Sequence, residues 1–277
     1  RHQSDVPDLI NGTFGAVGSM YYRKIMKQEL LNGGYVELVD HWGSDQGIIE
    51  AARMSTQKGF VGWGKDHSEN CLWRVTRDAP CGCGAAVEPG DEKLLAYLYN
   101  NAHMTPFEMA GMTIEVKAPI MVFREWHRHR TQSFNEMSAR YVPLPDENYL
   151  PDVDDLLERS QIAANTANRQ SSGSGTVILR NDADSWLKAL DWYYKTGESL
   201  YKDGLALGVP KELARLPVTV GRYSRMRASA NLRNWLGFLK LRQSPHAQKE
   251  IRLYANCVAT LIADKFPRTH LLFTKQG

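Results

Sequence analysis

The densest run of polar side chains in the sequence is Arg128-His129-Arg130-Thr131-Gln132-Ser133-Phe134-Asn135-Glu136-Met137-Ser138-Ala139-Arg140-Tyr141. Guanidinium groups at this spacing suit discrete anionic ligands, because the planar fork matches phosphate and carboxylate geometry. Arg124, Arg128, Arg130 and Arg140 form one arginine cluster; Arg215, Arg222, Arg225, Arg227, Arg233 and Arg242 form another. If Arg128, His129 and Arg130 continue a helix, they point about 100° apart and cannot all serve one ligand group from one face. They then reach different ligands, or ligands of neighbouring subunits, or simply end a solvated basic helix, since cations favour helix C-termini.

Other groups could carry chemistry. His127 and His129 form His-x-His, but no carboxylate or Cys is placed beside them as a further ligand, so no metal is assigned. His67, Cys71, Cys81 and Cys83 fall in one segment where zinc could nucleate a core-poor loop. Cys-x-Cys is not the usual zinc-knuckle spacing, and no metal site is assigned there either. Gly173-Ser174-Gly175 lacks the third glycine and the strand–helix frame of a dinucleotide fingerprint, which disfavours a Rossmann flavoprotein. Trp186, Trp192, Tyr193 and Tyr194 sit in an apparent helix and read as core rather than as a base-stacking platform. Cys257 shares a helical stripe with Tyr254, Val258 and Leu261, which predicts a buried, inert thiol.

These groups need elements to hold them. The alternation in Tyr35 to Asp40 predicts a half-buried strand. Asp45 is expected to cap a helix carrying Ile48, Ile49 and Ala52 and ending near Ser55. From Gly59 to Gly90 the pattern degrades into an inserted loop or small subdomain. Asp91 opens a short helix with Leu94, Leu95 and Leu98 on one side. Met112, Ile114 and Val116 alternate as a strand; Pro119 then starts a helix expected to run to about Arg130. Residues 165–175 read as a polar loop. Leu232, Trp235, Leu236 and Leu239 mark an amphipathic helix. Ser244 and Pro245 are expected to cap and start a last long helix with Ile251, Tyr254, Val258, Leu261 and Ile262 inward. The class is α+β.

The polar run resembles the signature of flavin-dependent thymidylate synthases: Arg-His-Arg, seven residues, then Ser, here Arg128-His129-Arg130 through Ser138. His103-Met104-Thr105-Pro106-Phe107-Glu108 resembles a second element of that family. Glu37-Leu38-Val39-Asp40 and Ala51-Ala52-Arg53-Met54-Ser55 resemble its first strand and helix. Arg215-Leu216-Pro217, Asn231, Arg233, and Leu241-Arg242 with His246-Ala247-Gln248 resemble its C-terminal half. The elements occur in family order over 35–55, 91–145 and 205–270.

The resemblance implies helices around a central, mainly antiparallel sheet. It implies reductive methylation of dUMP to dTMP with FAD, NADPH as reductant and methylenetetrahydrofolate as carbon donor, in a homotetramer with shared active sites. Ser55, Thr105, Glu108, Arg128, His129, Arg130, Glu136, Asn231, Arg233 and His246 would hold FAD. Glu125, Arg128, Glu136, Ser138, Ala139 (by its backbone), Arg140, Arg215 and Arg242 would hold dUMP. Arg242 would favour ionised uracil N3, Ser138 would sit at the reacting ring, and His103 would lie where the folate stacks. Two positions depart from the pattern: Gly237 replaces a polar flavin-contacting side chain, and Glu125 stands where some members carry Gln.

Composition limits the alternatives. A chain of 277 residues fits a single catalytic domain, 1–277, with the segment 59–90 inserted in it. A formal net charge of +3 does not argue for a nucleic-acid binder. No apolar run approaches membrane-span length, residues 1–30 lack the apolar stretch of a signal peptide, and the four Cys form no secreted disulfide framework. The expectation is a cytoplasmic protein without membrane or nucleic-acid partners. The rival reading is a non-catalytic nucleotide- or RNA-binding protein that keeps the arginine-rich cleft, and flavin colour separates the two.

Overall fold

The computed structural model describes residues 27–64, 90–165 and 177–276. Cys71, Cys81, Cys83, His67 and the Gly173 loop lie outside them. Five strands form one sheet in the order β1-β2-β3-β5-β4: β1 Lys27–Leu30, β2 Gly34–Trp42, β3 Gly111–Pro119, β4 Ser133–Glu136 and β5 Tyr223–Asn231. Every neighbouring pair is antiparallel.

Alternation in β2, β3 and β5 sends Val36, Leu38, Ile114, Val116, Met226 and Ala228 to one face, all buried. Helices α3 Ile120–Trp126, α7 Leu232–Arg242 and α8 Lys249–Lys265 pack over that face. The predicted inward stripe of α8 holds, with Ile251, Tyr254, Val258, Leu261 and Ile262 all buried. Tyr254 donates to Lys117 O at 2.8 Å, and only glycine at position 34 lets its hydroxyl in, since a Cβ there would lie 2.2 Å away.

Two joints place the site. β3 runs directly into α3 at Pro119, and β5 runs directly into α7 at Asn231, whose side chain caps the helix by accepting from Asn234 N at 3.0 Å. Because Pro119 pairs with Tyr223 and Gly111 with Asn231, the two helices start from opposite ends of the sheet. Their C-terminal ends meet over the core face, where Arg242 of α7 touches Glu125 of α3.

Several local expectations are corrected. Ser44, not Asp45, caps α1 Asp45–Arg53, accepting from Gly47 N at 3.1 Å. The Asp45 carboxylate instead accepts from Arg268 N at 2.8 Å and Thr269 N at 3.2 Å, satisfying the open N–H groups of α9 Pro267–Gln276. Asp91 precedes α2 Glu92–Asn100 without capping it; its carboxylate holds Arg53 and the backbone N of Val61 and Gly62. Gln248 rather than Ser244 stands at the start of α8. Three more helices complete the described chain: α4 Val153–Asn165, α5 Arg180–Ala206 and α6 Lys211–Ala214. Three of the four α5 aromatics expected in the core are exposed: Trp186, Trp192 and Tyr193 are 50, 66 and 52% exposed, while Tyr194 is half-buried. No described helix is long and apolar enough to cross a membrane.

Candidate active site

Helix α3 stops at Trp126, four residues short of the expected end, and 127–132 fold as a turn. The 100° divergence expected of three consecutive helical residues therefore does not apply. The turn is closed by His129 N donating to Trp126 O at 3.0 Å and Gln132 N to His129 O at 3.1 Å. The buried Gln132 amide accepts from Trp126 Nε1 at 3.0 Å. From there the chain enters β4, so the signature is a turn followed by an edge strand.

One stripe of α7 fixes this turn. Asn234, Phe238 and Arg242 recur every fourth residue and so share a face. Asn234 donates to Thr131 O at 3.1 Å. Phe238 stacks on Trp126 at 4.6 Å and meets the His129 ring edge-on at 4.9 Å. Arg242 donates from Nε to His129 Nε2, from Nη1 to Glu125 Oε2 and from Nη2 to Glu125 O, each at 2.9 Å. The last of these adds a side-chain donor to a carbonyl at the C-terminus of α3 that also accepts from Arg128 N at 3.2 Å. Gln132, Asn234 and Phe238 were missed from sequence; the four-residue recurrence in α7 is the signal that could have found two of them.

Electrostatics follow from this packing. Burial first, then the Arg242 charge, lowers the His129 pKa to about 4. The imidazole is therefore neutral, with its proton on Nδ1 as assigned from the bond Nε2 accepts. Burial raises the Glu125 carboxyl above its ordinary value, against the lowering pull of Arg242. Glu125 thus holds the arginine rather than offering free hydrogen-bonding capacity to a ligand.

The remaining expected site residues form two further groups. On leaving β4, Ser138 Oγ accepts from Arg140 N at 3.3 Å. Arg140 reaches the Glu212 carboxylate at 3.5 Å, while Arg215 donates to Glu212 O at 3.4 Å. Ser138, Ala139, Arg140 and Arg215 thus gather around α6, with Ala139 buried and both arginines exposed. Glu212 was not anticipated. At the other end of α7, Arg233 pairs with Glu108, beside the capping Asn231 and the exposed Thr105. Ser55 lies exposed in the turn after α1, and the exposed His103 sets its ring edge-on to Tyr97 at 5.6 Å. Glu136 pairs with Met226 across the sheet, and His246 sits in the turn before α8. No hydrogen bond or ion pair between described residues joins the Arg242 group to the Arg140–Arg215 group.

Arg128 and Arg130 are exposed, and their side chains make no hydrogen bond or ion pair with other described residues. His127 is taken up by packing: it stacks on Phe123, meets Phe134, and lies 3.2 Å from Met226 Sδ. Gly237 faces open space, and a Cβ at this position would meet nothing within 4 Å. It shares its side of α7 with Arg233, four residues earlier. Uncommitted guanidinium groups, a polar rim and open space along α7 fit a large ligand carrying a pyrophosphate. A separate cavity of about 270 Å³ between α4, α5 and α8 contains no expected site residue.

These features define an α+β protein with exposed arginines gathered around a turn–strand unit held by α7. Residues 37–268 match the family described as Thymidylate synthase complementing protein, and the chain belongs to that family. It is 36% identical over 256 residues to a flavin-dependent thymidylate synthase of Anaplasma marginale (strain St. Maries), covering 91% of this chain and 76% of that protein. It is 32% identical over 252 residues to the enzyme of that name from Thermosipho africanus (strain TCF52B), covering 90% and 95%. Among solved structures it resembles a UMP/dUMP methylase, PolB from Streptomyces cacaoi, bound with 5-Br UMP. That match has a TM-score of 0.66 and 30% identity, covering 88% of this chain and 95% of that one.

Proposed function

We propose that the protein is a flavin-dependent thymidylate synthase that methylates dUMP to dTMP, with methylenetetrahydrofolate as carbon donor and NADPH as reductant. The observation that carries this reading is the Arg242–His129–Glu125 clamp built against the signature turn. A guanidinium held by three bonds in a half-buried site is preorganised, and preorganised charge is often the largest catalytic contribution. Its role is to stabilise negative charge on the uracil ring as N3 ionises, which raises the nucleophilicity of the ring carbon. Arg140 and Arg215 suit the dUMP phosphate dianion, with Glu212 as the group they exchange for it. Ser138, Ala139 and Glu136, on the same connection out of β4, would orient the sugar and base.

FAD, when bound, supplies the hydride chemistry. Arg128, Arg130, Asn231, Arg233 with Glu108, Thr105, Ser55, Glu136 and His246 would hold it, with His129 walling the site. The folate would stack near His103. Arg128 would serve both FAD and dUMP. Because no hydrogen bond or ion pair among the described residues joins the Arg140–Arg215 group to the Arg242 group, a homotetramer whose subunits complete one another's sites would account for both.

The test is an absorption spectrum of purified protein before and after FAD, then NADPH, then dUMP. The reading expects oxidised-flavin bands that bleach with NADPH. A colourless protein that takes up no FAD, while binding polyanions, would favour the rival non-catalytic binder.

A further inference from the structure

The arginines assigned to the dUMP phosphate sit on two separate stretches of chain. Arg140 lies on the connection from β4 to α4, and Arg215 on the connection from α6 to β5. Their spacing is set by what holds these two connections together. At the exposed end, Lys211 donates to Tyr141 O at 2.9 Å. Further in, Tyr149 N donates to Gly221 O at 2.8 Å and Tyr223 N to Glu147 O at 2.9 Å, so that Asn148 and Arg222 form a short antiparallel bridge.

The Arg222 side chain adds a third element to this joint. Its Nη1 donates to Pro145 O at 2.8 Å, and its Nη2 donates to the Glu198 carboxylate on α5. The two side chains are 2 and 8% exposed. The same stripe of α5 receives the Arg215 connection closely: a Cβ at Gly197 would lie 3.1 Å from Pro217 O, and one at Gly204 would lie 3.5 Å from Ala214 Cβ. Lys202 closes the outer side, 3.0 Å from Asp146 and 3.2 Å from Glu198. As a means of gaining stability the buried pair is poor, because desolvating two charges offsets much of their attraction, and apolar side chains of similar volume often do as well. Arg222 Nε also finds no hydrogen-bond partner among the described residues, which adds to that cost. What the pair supplies is geometry. A planar fork with bonds in fixed directions holds the segments it joins in one arrangement, which an apolar contact does not.

We propose that Arg222 and Glu198 are positioning residues for the dUMP phosphate: anchored on α5, the pair fixes the spacing of Arg140 and Arg215 so that both guanidinium groups close on one phosphate. Arg222 and Glu198 do not themselves touch the nucleotide, since their side chains are buried and bonded to each other. The inference deepens the functional reading above and rests on its assignment of Arg140 and Arg215 to the phosphate.

The experiment compares dUMP with deoxyuridine, which lacks the phosphate, as ligands of FAD-replete protein. Equilibrium dialysis gives both dissociation constants, dTMP formation gives KM and kcat, and circular dichroism confirms folding. Replacing both partners, Arg222→Met with Glu198→Met, removes the two charges without stranding either. This variant is expected to raise the dissociation constant and KM for dUMP at least about tenfold, since a misplacement near 1 Å can cost on the order of 100-fold. Deoxyuridine affinity, FAD affinity and kcat at saturating dUMP are expected to stay within about twofold of the parent, because none of them draws on the phosphate contacts. Equal weakening of dUMP and deoxyuridine marks general loosening and overturns the inference, as does unchanged dUMP binding. If the double variant does not fold, Glu198→Gln, which keeps the shape and removes one charge, carries the same test, with a selective loss for dUMP of at least about threefold expected. Arg215→Ala separates this inference from the assignment beneath it. In that background the Met pair is expected to weaken dUMP by a smaller factor than in the parent, because one of the contacts it positions is gone; an equal factor in both backgrounds overturns the positioning role. Arg215→Ala that leaves dUMP binding unchanged overturns the phosphate assignment itself. Arg215→Ala that weakens dUMP while the Met pair does not overturns the positioning role alone.

Discussion

Replacing Arg242 with Ala tests the clamp. The change deletes three hydrogen bonds of 2.9 Å from a side chain that is 18% exposed, and strands Glu125, which is 26% exposed. A hydrogen bond to a charged group contributes about 1.5–3 kcal/mol net when well shielded. Partial exposure and proton uptake by the freed carboxyl reduce the sum to about 2–3 kcal/mol. At about 2–4 °C per kcal/mol for a chain of this size, the melting temperature should fall by roughly 4–12 °C. The catalytic loss should be larger: losing one preorganised charge partner slows turnover on the order of 100-fold or more. The assay is dTMP formation from dUMP, NADPH and methylenetetrahydrofolate with FAD-saturated protein, alongside a flavin titration. Flavin affinity should change little, and Arg242→Lys should be intermediate, since one ammonium cannot reach both His129 and Glu125 in the same way. Turnover within about threefold of wild type in the folded Ala variant would refute the role given to Arg242.

Other outcomes follow from the same geometry. Arg130→Ala should weaken flavin retention about tenfold while dUMP affinity stays within twofold, as for loss of one charge-assisted contact of about 1.4 kcal/mol; equilibrium titration of each ligand decides, and the reverse pattern would exchange their assignments. Cys257→Ala should keep dTMP formation, because burial pushes this thiol up to about 11 and leaves no thiolate to attack the ring; a folded, yellow, inactive variant would contradict this. Stability should fall as pH drops from about 6.5 to about 4, because unfolded His129 takes a proton there and the folded imidazole, held at about 4, does not. The loss is up to about 3 kcal/mol, less because the ring is only half-buried. Denaturant melts of wild type and His129→Gln across that window should converge toward the acid end, and parallel curves would show that His129 is not the titrating group.

Much of the frame was legible because it rests on periodicity. The alternation at 112–117 and the stripe Ile251, Tyr254, Val258, Leu261 and Ile262 carry burial directly in their spacing. What was not legible depends on long-range partners. Asp45 has an N-cap residue type and stands at a helix start, yet its carboxylate serves a helix more than 220 positions away, and Ser44 takes the local role. The end of α3 was misplaced because Arg128 and His129 do not themselves break a helix; Gln132 folding back onto Trp126 does. The α5 aromatics had helical periodicity, but no described element covers Trp192 or Tyr193. In the site, the residue types of the signature pointed to anionic ligands, while the partner of Arg242 could not be read: Glu125 becomes its counter-ion only because two helices from opposite sheet ends converge.

The most direct test of the central claim is a single-vessel assay of purified, FAD-replete protein with dUMP, methylenetetrahydrofolate and NADPH, following dTMP by chromatography and NADPH oxidation by absorbance. The account predicts dTMP formation that requires all three substrates and is lost when FAD is removed and regained when it is restored. Folded protein that binds FAD yet forms no dTMP, or forms it equally well without flavin, would contradict it.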